Sequence, residues 1–361
     1  MERQKLELHH LRKLKEQGEK LTMLTAYDHP TAKMLDEEGI DLILVGDSVA
    51  NVVLGYTDTR PVTMEEMLHH TRAVVRGVHY ALVIGDMPFM SYNISREEAV
   101  RNAGRFLKET GCDMVKLEGA GRHIDTIADV VSAGIPVCGH LGLTPQTASL
   151  IGGYRVQGRT SKTAARLVRD SKAIEDAGAS LLVLECVPME VSHIISSQLR
   201  IPVIGIGAGE GCDGQVLVFH DIMGIQSGFT PRFVKRYTDV DKVMREAVQA
   251  YRVDVKGNAF PTADHSFTMP AKSLEKLEAL LAKGAAGTLD GDSAASTASV
   301  PPKDKPRSEA KLVLEKALRD SVEKTAIARR RDEKAPRKKK KSAKKTSKKT
   351  SKKPRKKKGT R

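Results

Sequence analysis

The alternation of short apolar runs with amphipathic segments is the feature of this sequence that most limits its fold. Between residues 21 and 221, eight runs rich in apolar and β-branched side chains lack the polar alternation of a half-exposed strand. They are LTMLTAY (21–27), IDLILVGD (40–47), YALVIGD (80–86), CDMVKLEG (112–119), IPVCGHL (135–141), SLLVLECVP (180–188), IPVIGIG (201–207) and QVLVFHD (215–221). Each run therefore predicts a parallel strand that is covered on both faces.

The segments between most of these runs have helical periodicity. Helices are predicted over residues 63–77, 96–110, 162–178 and 189–199. The gap from Gly207 to Gln215 is too short for a regular helix, which predicts an irregular seventh crossover. Eight strands with intervening helices predict the α/β class and a (β/α)8 TIM-type barrel. The alternative is a doubly wound open sheet, which the absence of a glycine-rich phosphate fingerprint after the first strand disfavours.

Downstream of the last strand the composition changes. A closing helix is predicted over residues 231–252 and a short amphipathic helix over 273–282. We expect a catalytic barrel domain over 1–270, a flexible linker over 271–310 and a Lys-rich disordered tail over 311–361, with a marginal helix at 311–328. Residues 334–361 contain 17 Lys and Arg and no acidic residue, so they cannot bury apolar surface.

The net charge of +15 is concentrated in this tail. Residues 301–361 hold 27 basic and 7 acidic side chains, whereas the first 300 residues hold 33 basic and 38 acidic ones. The charge distribution therefore excludes a basic nucleic-acid-binding fold for the whole protein. The tail itself is expected to bind nucleic acid or other polyanions without sequence preference, which makes a nucleic-acid-associated protein one alternative function.

The sequence predicts a cytoplasmic protein that does not bind membranes. No apolar run approaches the length of about 18 residues that a transmembrane helix needs. The charged N-terminus lacks the apolar stretch of a secretory signal. The four cysteines have no CxxC spacing and lie in or near apolar runs, which predicts buried free thiols in a reducing compartment.

Polar residues close several of the predicted strands. In a barrel of this type, functional groups gather at the C-terminal ends of the strands. A single aspartate at such a position also serves as the N-cap of the following helix, but several polar residues together favour a shared site. The strand-end residues are Asp47 with Ser48, Asp86, Lys116 with Glu118, His140, and Glu185.

The carboxylates in this set indicate a metal. Asp47, Asp86 and Glu118 supply hard oxygen ligands, which suit Mg²⁺. Lys116 lies two residues before Glu118, so both side chains project to one face of a strand. The lysine fits as a counter-charge for an anionic substrate, and its alternative role is a structural ion pair.

Two further residues could move a proton. Glu185 ends the apolar run LLVLE, and an apolar environment raises the pKa of a carboxyl and suits it to accept a proton. Its alternative role is a buried salt bridge. His140 is a candidate base or hydrogen-bond donor, and a structural histidine is the alternative. Metal, lysine and a carboxylate base together predict metal-assisted proton abstraction next to the carbonyl of a 2-oxo acid.

Blocks of sequence around these residues resemble a known family. The chain is similar to 3-methyl-2-oxobutanoate hydroxymethyltransferase, the ketopantoate hydroxymethyltransferase of pantothenate biosynthesis, from about residue 5 to 267. The blocks are TAYD (25–28), LVGDS (44–48), PVT (61–63), MPFM (87–90), MVKLEG (114–119), PVCGHLGLTPQ (136–146), GGYRVQGR (152–159), LLVLECVP (181–188), IPVIGIGAG (201–209), DGQVLV (213–218) and HSF (265–267).

The resemblance implies a barrel enzyme that moves a one-carbon unit from 5,10-methylenetetrahydrofolate to 3-methyl-2-oxobutanoate and forms 2-dehydropantoate. By resemblance, Asp47 and Asp86 bind Mg²⁺, and Glu118 lies nearby and acts through water. Ser48, Asp86 and Lys116 hold the oxo acid, and Glu185 is the proton acceptor. Members of the family are usually homo-oligomers, often decamers of two pentameric rings.

The chain departs from the family pattern at two places. LGYTDTRPVT (54–63) has Tyr56 and Arg60 where a His-Asp-Ser-Thr-like loop is expected, and SYNISREEAV (91–100) is slightly long. Both segments are predicted to be loops, so they put the folate contacts in question more than the metal site. Another metal-dependent enolate enzyme, of the phosphoenolpyruvate mutase or oxo-acid lyase type, is the alternative enzymatic function.

Overall fold

A computed structural model describes residues 3–225 and 230–284 of the chain. Its eight strands are β1 (Leu21–Thr25), β2 (Leu42–Val45), β3 (Leu82–Asp86), β4 (Met114–Glu118), β5 (Val137–Gly142), β6 (Leu181–Glu185), β7 (Val203–Ile206) and β8 (Gly214–Leu217). Each strand pairs in parallel with the next, and β8 pairs back with β1, where Gly214 lies opposite Leu21. The sheet is a closed barrel, which confirms the predicted fold and rules out the open sheet.

Helices fill most of the connections between strands. They are α1 (Leu8–Glu16), α2 (His29–Glu37), α3 (Val49–Val52), α4 (Met64–Val75), α5 (Arg96–Arg105), α6 (His123–Ser132), α7 (Ser161–Asp176), α8 (Met189–Gln198), α9 (Phe219–Met223), α10 (Val240–Lys256) and α11 (Ala271–Gly284). The four predicted crossover helices correspond to α4, α5, α7 and α8. The seventh crossover runs from β7 to β8 without a helix, as its length predicts.

One predicted helix boundary is wrong. The closing helix begins at Val240 rather than at residue 231, because Asp239 accepts the N–H of Lys242 (3.3 Å) and caps the helix there. The helix predicted over 96–110 is confirmed, with α5 running to Arg105 and a π-helical turn, Phe106–Thr110, completing it. The separate interpretation of 91–100 as a loop is wrong from residue 96 on, where α5 begins and Ser95 caps it through the N–H of Glu98.

The chain divides into two compact units, Met1–Phe267 and Thr268–Arg361. In the second unit, α11 covers the predicted short helix 273–282. The remainder of the predicted linker, the marginal helix at 311–328 and the tail lie outside the described residues. The division into catalytic domain, linker and tail therefore stays a prediction.

Helix α1 covers one end of the barrel. Apolar side chains from alternate strand positions fill the barrel interior, and Leu11 of α1 packs among them with 1% of its surface exposed. Lys15 of α1 donates to the main-chain carbonyl of Ile201, just before β7, which places this helix across the end where the strands begin. Polar side chains inside the barrel must therefore meet substrate at the opposite end, where the strands finish.

Two further expectations concern membranes and cysteines. Within residues 3–225 and 230–284, no helix has the length and apolar character required to cross a bilayer. All four cysteines are free, and three of them are buried, as their positions in the apolar runs predict.

Candidate active site

The predicted site residues come together at the C-terminal end of the barrel. Asp47 and Ser48 follow β2, Asp86 ends β3, Lys116 and Glu118 lie in β4, His140 lies in β5, and Glu185 ends β6. The strand register sets Asp86 opposite Lys116, and Glu118 opposite His140. The barrel thus joins side chains that are far apart in the sequence into one cluster, and the roles assigned to them above stay predictions.

Lys116 and Asp86 form the buried centre of this cluster. The Lys116 Nζ lies 2.8 Å from both carboxylate oxygens of Asp86 and 3.8 Å from Oε1 of Glu118. Burial opposes the charge of Lys116, but the surrounding carboxylates outweigh it and raise the pKa of the ammonium. Burial also raises the pKa of Asp86, to about 7, with the lysine opposing the shift and the neighbouring carboxylates adding to it.

Asp47 and Ser48 form the side of the site beside β2. The main-chain N–H of Asp47 donates to Oδ2 of Asp86 (3.0 Å), which ties the two carboxylate-bearing strand ends together. The Ser48 hydroxyl lies 2.8 Å from the Tyr27 hydroxyl. Because Tyr27 is buried, this hydrogen bond fixes where the Ser48 oxygen points.

His140 lies between two glutamates. Its Nδ1 is 3.2 Å from Oε1 of Glu118, and its Nε2 is 3.4 Å from Oε2 of Glu185, at ion-pair distance but without hydrogen-bond geometry. Burial and Lys116 lower the pKa of the imidazole, but the two glutamates outweigh them and raise it to about 9. Glu185 therefore has a cationic neighbour, and its surroundings are not only the apolar ones that its sequence run predicts.

Glu185 is the most accessible carboxylate of the cluster. Its side chain is 16% exposed, whereas the side chains of Asp86 and Glu118 are each 1% exposed. Burial raises the pKa of Glu118. A molecule that enters from the open end of the barrel therefore meets Glu185 before the deeper carboxylates, which suits a group that exchanges protons with a substrate.

The donor set fits a hard divalent cation. Asp47, Asp86 and Glu118 offer carboxylate oxygens within an excess of negative charge, as Mg²⁺ prefers. Among the residues that the structure describes, no three His, Cys, Asp or Glu side chains form a ready-made closed ligand set. Mg²⁺ does not require one, since it keeps several waters and binds proteins through one or two carboxylates. The adjacent Asp47 and Asp86 supply such a pair.

Sequence reasoning missed three buried residues of the site: Tyr27, Tyr92 and Gln146. Tyr27 and Gln146 stand inside the blocks TAYD and PVCGHLGLTPQ. Tyr27 closes its predicted run as an aromatic residue, and Gln146 lies beyond the end of its run, so neither fits the pattern of a charged residue at a strand end. Tyr92 lies in the segment 91–100, which looked like an exposed loop. Its burial could not be recognised from a run that has no periodicity.

Two loops lie at the open end of the site. In the first, Arg60 forms an exposed ion pair with Asp58 (2.7 Å), and the Tyr56 hydroxyl donates to Glu66 (3.3 Å). The second loop contains Tyr154 and lies within the block GGYRVQGR (152–159). Partial burial raises the pKa of Tyr154, and the negative charges of Asp58, Asp47 and Glu185 add to the shift. Tyr56 and Arg60, which depart from the family pattern, are thus not among the buried carboxylates. Tyr92, in the slightly long segment 91–100, is buried and accepts the main-chain N–H of Glu118.

Fold and site together define a (β/α)8-barrel enzyme with an acidic pocket built around one buried lysine. The model of the family "Ketopantoate hydroxymethyltransferase" matches residues 5–263. The chain belongs to this family, as the sequence blocks predict, and it is a transferase.

Individual relatives agree with this assignment. The chain is 53% identical over 267 residues to the 3-methyl-2-oxobutanoate hydroxymethyltransferase of Carboxydothermus hydrogenoformans, covering 74% of this chain and 97% of that protein. It is 55% identical over 257 residues to the enzyme of the same name from Syntrophus aciditrophicus, covering 71% and 94%. The solved structure of a phosphonopyruvate hydrolase matches with a TM-score of 0.50 at 13% identity, covering 79% of this chain and 99% of that one, which shows a shared fold.

Proposed function

We propose that the protein transfers a hydroxymethyl group from 5,10-methylenetetrahydrofolate to 3-methyl-2-oxobutanoate and forms 2-dehydropantoate in pantothenate biosynthesis. The observation that carries the proposal is the convergence of Asp47, Asp86, Lys116, Glu118 and Glu185 on one pocket in a member of this family. Four of these residues stand inside a sequence block that resembles the family, and Asp86 directly precedes the block MPFM.

The cofactor in this proposal is Mg²⁺, held by Asp47 and Asp86, with Glu118 acting through water. The bound ion would draw electron density from the ketone and carboxylate oxygens of the oxo acid and make the proton on C3 more acidic. Lys116 neutralises part of the charge that the carboxylates and an anionic substrate bring together. It can do so because it is fully buried and already paired with Asp86.

Substrate binding and proton removal fall to the side chains at the C-terminal end of the barrel. Ser48, oriented by Tyr27, donates its hydroxyl to the oxo acid, which Asp86 and Lys116 also hold. Glu185 removes the C3 proton, and the Nε2 of His140 lies beside it, 3.4 Å from Oε2 of Glu185. The C3 carbanion then forms a bond to the methylene carbon of the folate, which reacts as an electrophilic iminium. Water supplies the hydroxyl oxygen, the bond between this carbon and the folate nitrogen breaks, and 2-dehydropantoate and tetrahydrofolate are released.

Proton exchange separates this reaction from its alternatives. The protein with Mg²⁺ and 3-methyl-2-oxobutanoate in D₂O should lose the C3–H signal in the ¹H NMR spectrum without folate, and it should form product only when the folate is added. The Glu185→Gln variant keeps the shape of the side chain and should lose the exchange. Product formed in the absence of folate would overturn the assignment.

The alternative enolate-forming activities are tested by offering the protein their substrates under the same conditions. The likeness to a phosphonopyruvate hydrolase shows the fold alone. We expect neither phosphoenolpyruvate nor inorganic phosphate to form from phosphonopyruvate, and no cleavage of a 2-substituted malate. Turnover of either compound faster than that of 3-methyl-2-oxobutanoate would favour a mutase or lyase function.

We also propose that the protein is a homo-oligomer, with a decamer as the form that family resemblance suggests. Helix α10 contains no buried residue. Met244, Val248, Tyr251 and Val255 recur at helical spacing along it and are 41–67% exposed. A second copy of the chain is the occupant we assign to this stripe, because identical subunits can cover it symmetrically. Light scattering coupled to gel filtration should show an oligomer that Val248→Glu weakens, and a wild-type monomer would refute this.

The charge of residues 301–361 supports a second, auxiliary property. We propose that this tail binds nucleic acid non-specifically, with an affinity that falls steeply as salt rises. The four free cysteines support the proposal that the enzyme works in the reducing cytoplasm.

A further inference from the structure

Gln146 is an uncharged residue that donates hydrogen bonds to two carboxylates of the cluster. It lies in the 3₁₀ helix Pro145–Ile151 that follows β5, and it is 2% exposed. Its side-chain Nε2 donates to Oδ2 of Asp47 (3.2 Å) and to the main-chain carbonyl of Met87 (3.0 Å). Its main-chain N–H donates to Oε2 of Glu118 (3.1 Å). One residue thus contacts two of the three carboxylates of the site.

Tyr92 fixes which way the Gln146 amide points. The Tyr92 hydroxyl oxygen accepts the main-chain N–H of Glu118 (3.3 Å), and the same hydroxyl donates to Oε1 of Gln146 (2.7 Å). Because the hydroxyl oxygen already accepts a hydrogen bond from Glu118, its own hydrogen is directed at Oε1 of Gln146. With Oε1 bound to this donor, Nε2 must face the carbonyl of Met87 and the carboxylate of Asp47, both of which only accept.

The network is fully satisfied and therefore rigid. Both Nε2 hydrogens of Gln146 have an acceptor, and its Oε1 has a donor. Rotating the amide by half a turn would set Oε1 against the carbonyl oxygen of Met87 and against Asp47, leaving buried acceptors facing one another. Amide donors also suit the site electrostatically, since they offset negative charge at Asp47 without adding another cation that would compete with a metal.

We propose that Gln146, locked in place by Tyr92, is a positioning residue that holds Asp47 and Glu118 in the arrangement that binds a divalent cation. The inference rests on the proposed metal site and adds to it the residues that hold the ligands in place. Residues that orient metal ligands typically change metal affinity by about 10- to 100-fold when they are replaced.

Two variants test the network, one at Gln146 and one at Tyr92. Gln146→Leu has a similar volume but removes both side-chain donors. Tyr92→Phe removes one hydroxyl and frees the amide to rotate, and it is so nearly isosteric that folding should survive. Gln215→Leu is the matched control, because the Gln215 amide donates to the main-chain carbonyl of Gly209 (2.9 Å) on the exposed face of β8.

The measurement is Mn²⁺ binding to the full-length protein, followed by the electron paramagnetic resonance signal of free Mn²⁺. Thermal unfolding without metal is recorded for each variant. We expect Kd for Mn²⁺ to rise by about 10- to 100-fold in Gln146→Leu and by a smaller factor in Tyr92→Phe, with Gln215→Leu unchanged. Activity lost at low Mg²⁺ should return at high Mg²⁺, which a merely structural defect would not allow.

The outcomes separate the inference from the proposed function. If wild type binds Mn²⁺ and both variants bind it within twofold of wild type, the positioning role is wrong while the metal site stands. If wild type binds no Mn²⁺, the metal site is wrong and the positioning role falls with it. If Gln146→Leu does not fold, an unchanged Kd in Tyr92→Phe still overturns the inference.

Discussion

Gly142 offers a direct test of how the barrel positions the predicted base. It ends β5 beside Glu185 at the end of β6, and the N–H of Leu143 donates to the main-chain carbonyl of Glu185 (2.8 Å). The φ of Gly142 is +96°, and a Cβ at this position would lie 2.1 Å from that carbonyl oxygen and 2.7 Å from a methyl group of Val187. We therefore predict that Gly142→Ala forces the ends of the two strands apart and displaces Glu185.

The size of the effect follows from this contact. Real Cβ atoms essentially never lie closer than 3.0 Å to such a neighbour, so the Glu185 main chain must move by roughly 1 Å. A misplacement of about 1 Å at a reacting group costs on the order of 100-fold in rate. The left-handed conformation costs alanine a further ~1–2 kcal/mol of stability, and overpacking costs about 1–3 kcal/mol.

Gly134 provides a matched control for the backbone strain. It has a φ of +83°, close to that of Gly142, but a Cβ there would have no heavy atom within 4 Å. Gly134→Ala should therefore lower the free energy of unfolding by only ~1–2 kcal/mol, which is the cost of the left-handed conformation for alanine. Its catalytic geometry should be unchanged, because Gly134 precedes β5 at the opposite end of the barrel from the carboxylates.

The assay is the rate of C3–H exchange of 3-methyl-2-oxobutanoate in D₂O with saturating Mg²⁺, at a temperature where both variants are folded by circular dichroism. Gly142→Ala should exchange about 100-fold more slowly than Gly134→Ala. If the two rates agree within threefold, the claim that this backbone contact sets the position of Glu185 is refuted. A slow Gly134→Ala variant would show that strain alone accounts for the loss.

Three further predictions concern stability and the tail. Lys116→Met removes the only lysine that pairs with Asp86 among the described residues. Urea unfolding at pH 8 should therefore show a free energy of unfolding that is lower by about 3–5 kcal/mol. An unchanged urea midpoint would contradict this. The Glu175 carboxylate accepts two main-chain N–H groups before β7 and pairs with Lys172, which outweigh burial and lower its pKa. Glu175→Gln should therefore lower the free energy of unfolding by about 1.5–3 kcal/mol at pH 6. This difference should vanish as the pH falls below 4.5 through the folded-state pKa of Glu175. Equal losses at pH 3 and pH 6 would count against the assignment. Deleting residues 285–361 should leave turnover within twofold of wild type and abolish retention on immobilised DNA at low salt, and retention by the truncated protein would place the binding elsewhere.

The strands and their polar ends were predictable because two physical rules act on them locally. A strand covered on both faces must be apolar along its length, and a polar residue at its end must reach the open rim of the barrel. Asp86 and Glu185 satisfy both rules, since each closes an apolar run and ends a strand. The predicted runs extend past the observed strands, as at Tyr27, because loop side chains near the rim are buried too.

Gln146 and Tyr92 were not predictable in this way. Their importance comes from contacts with residues 26 to 99 positions away in the sequence, and these contacts exist only once the barrel has closed. Neither residue is charged, and neither ends a strand. The start of α10 is hard to predict for a related reason. The apolar spacing continues upstream of the helix, and only the cap at Asp239 shows where the helix begins.

The arrangement of charge explains why the site needs such a network. Asp47, Asp86 and Glu118 lie together with little water around them, and their repulsion adds to the burial that raises the pKa of Asp86 and Glu118. Lys116 and His140 offset part of the negative charge, and the Gln146 donors offset part of what is left at Asp47. The negative charge that remains destabilises the folded protein but attracts a cation. A fuller set of internal counter-charges would make the barrel more stable and the cation site weaker, so the incomplete compensation at these residues is what the proposed function requires.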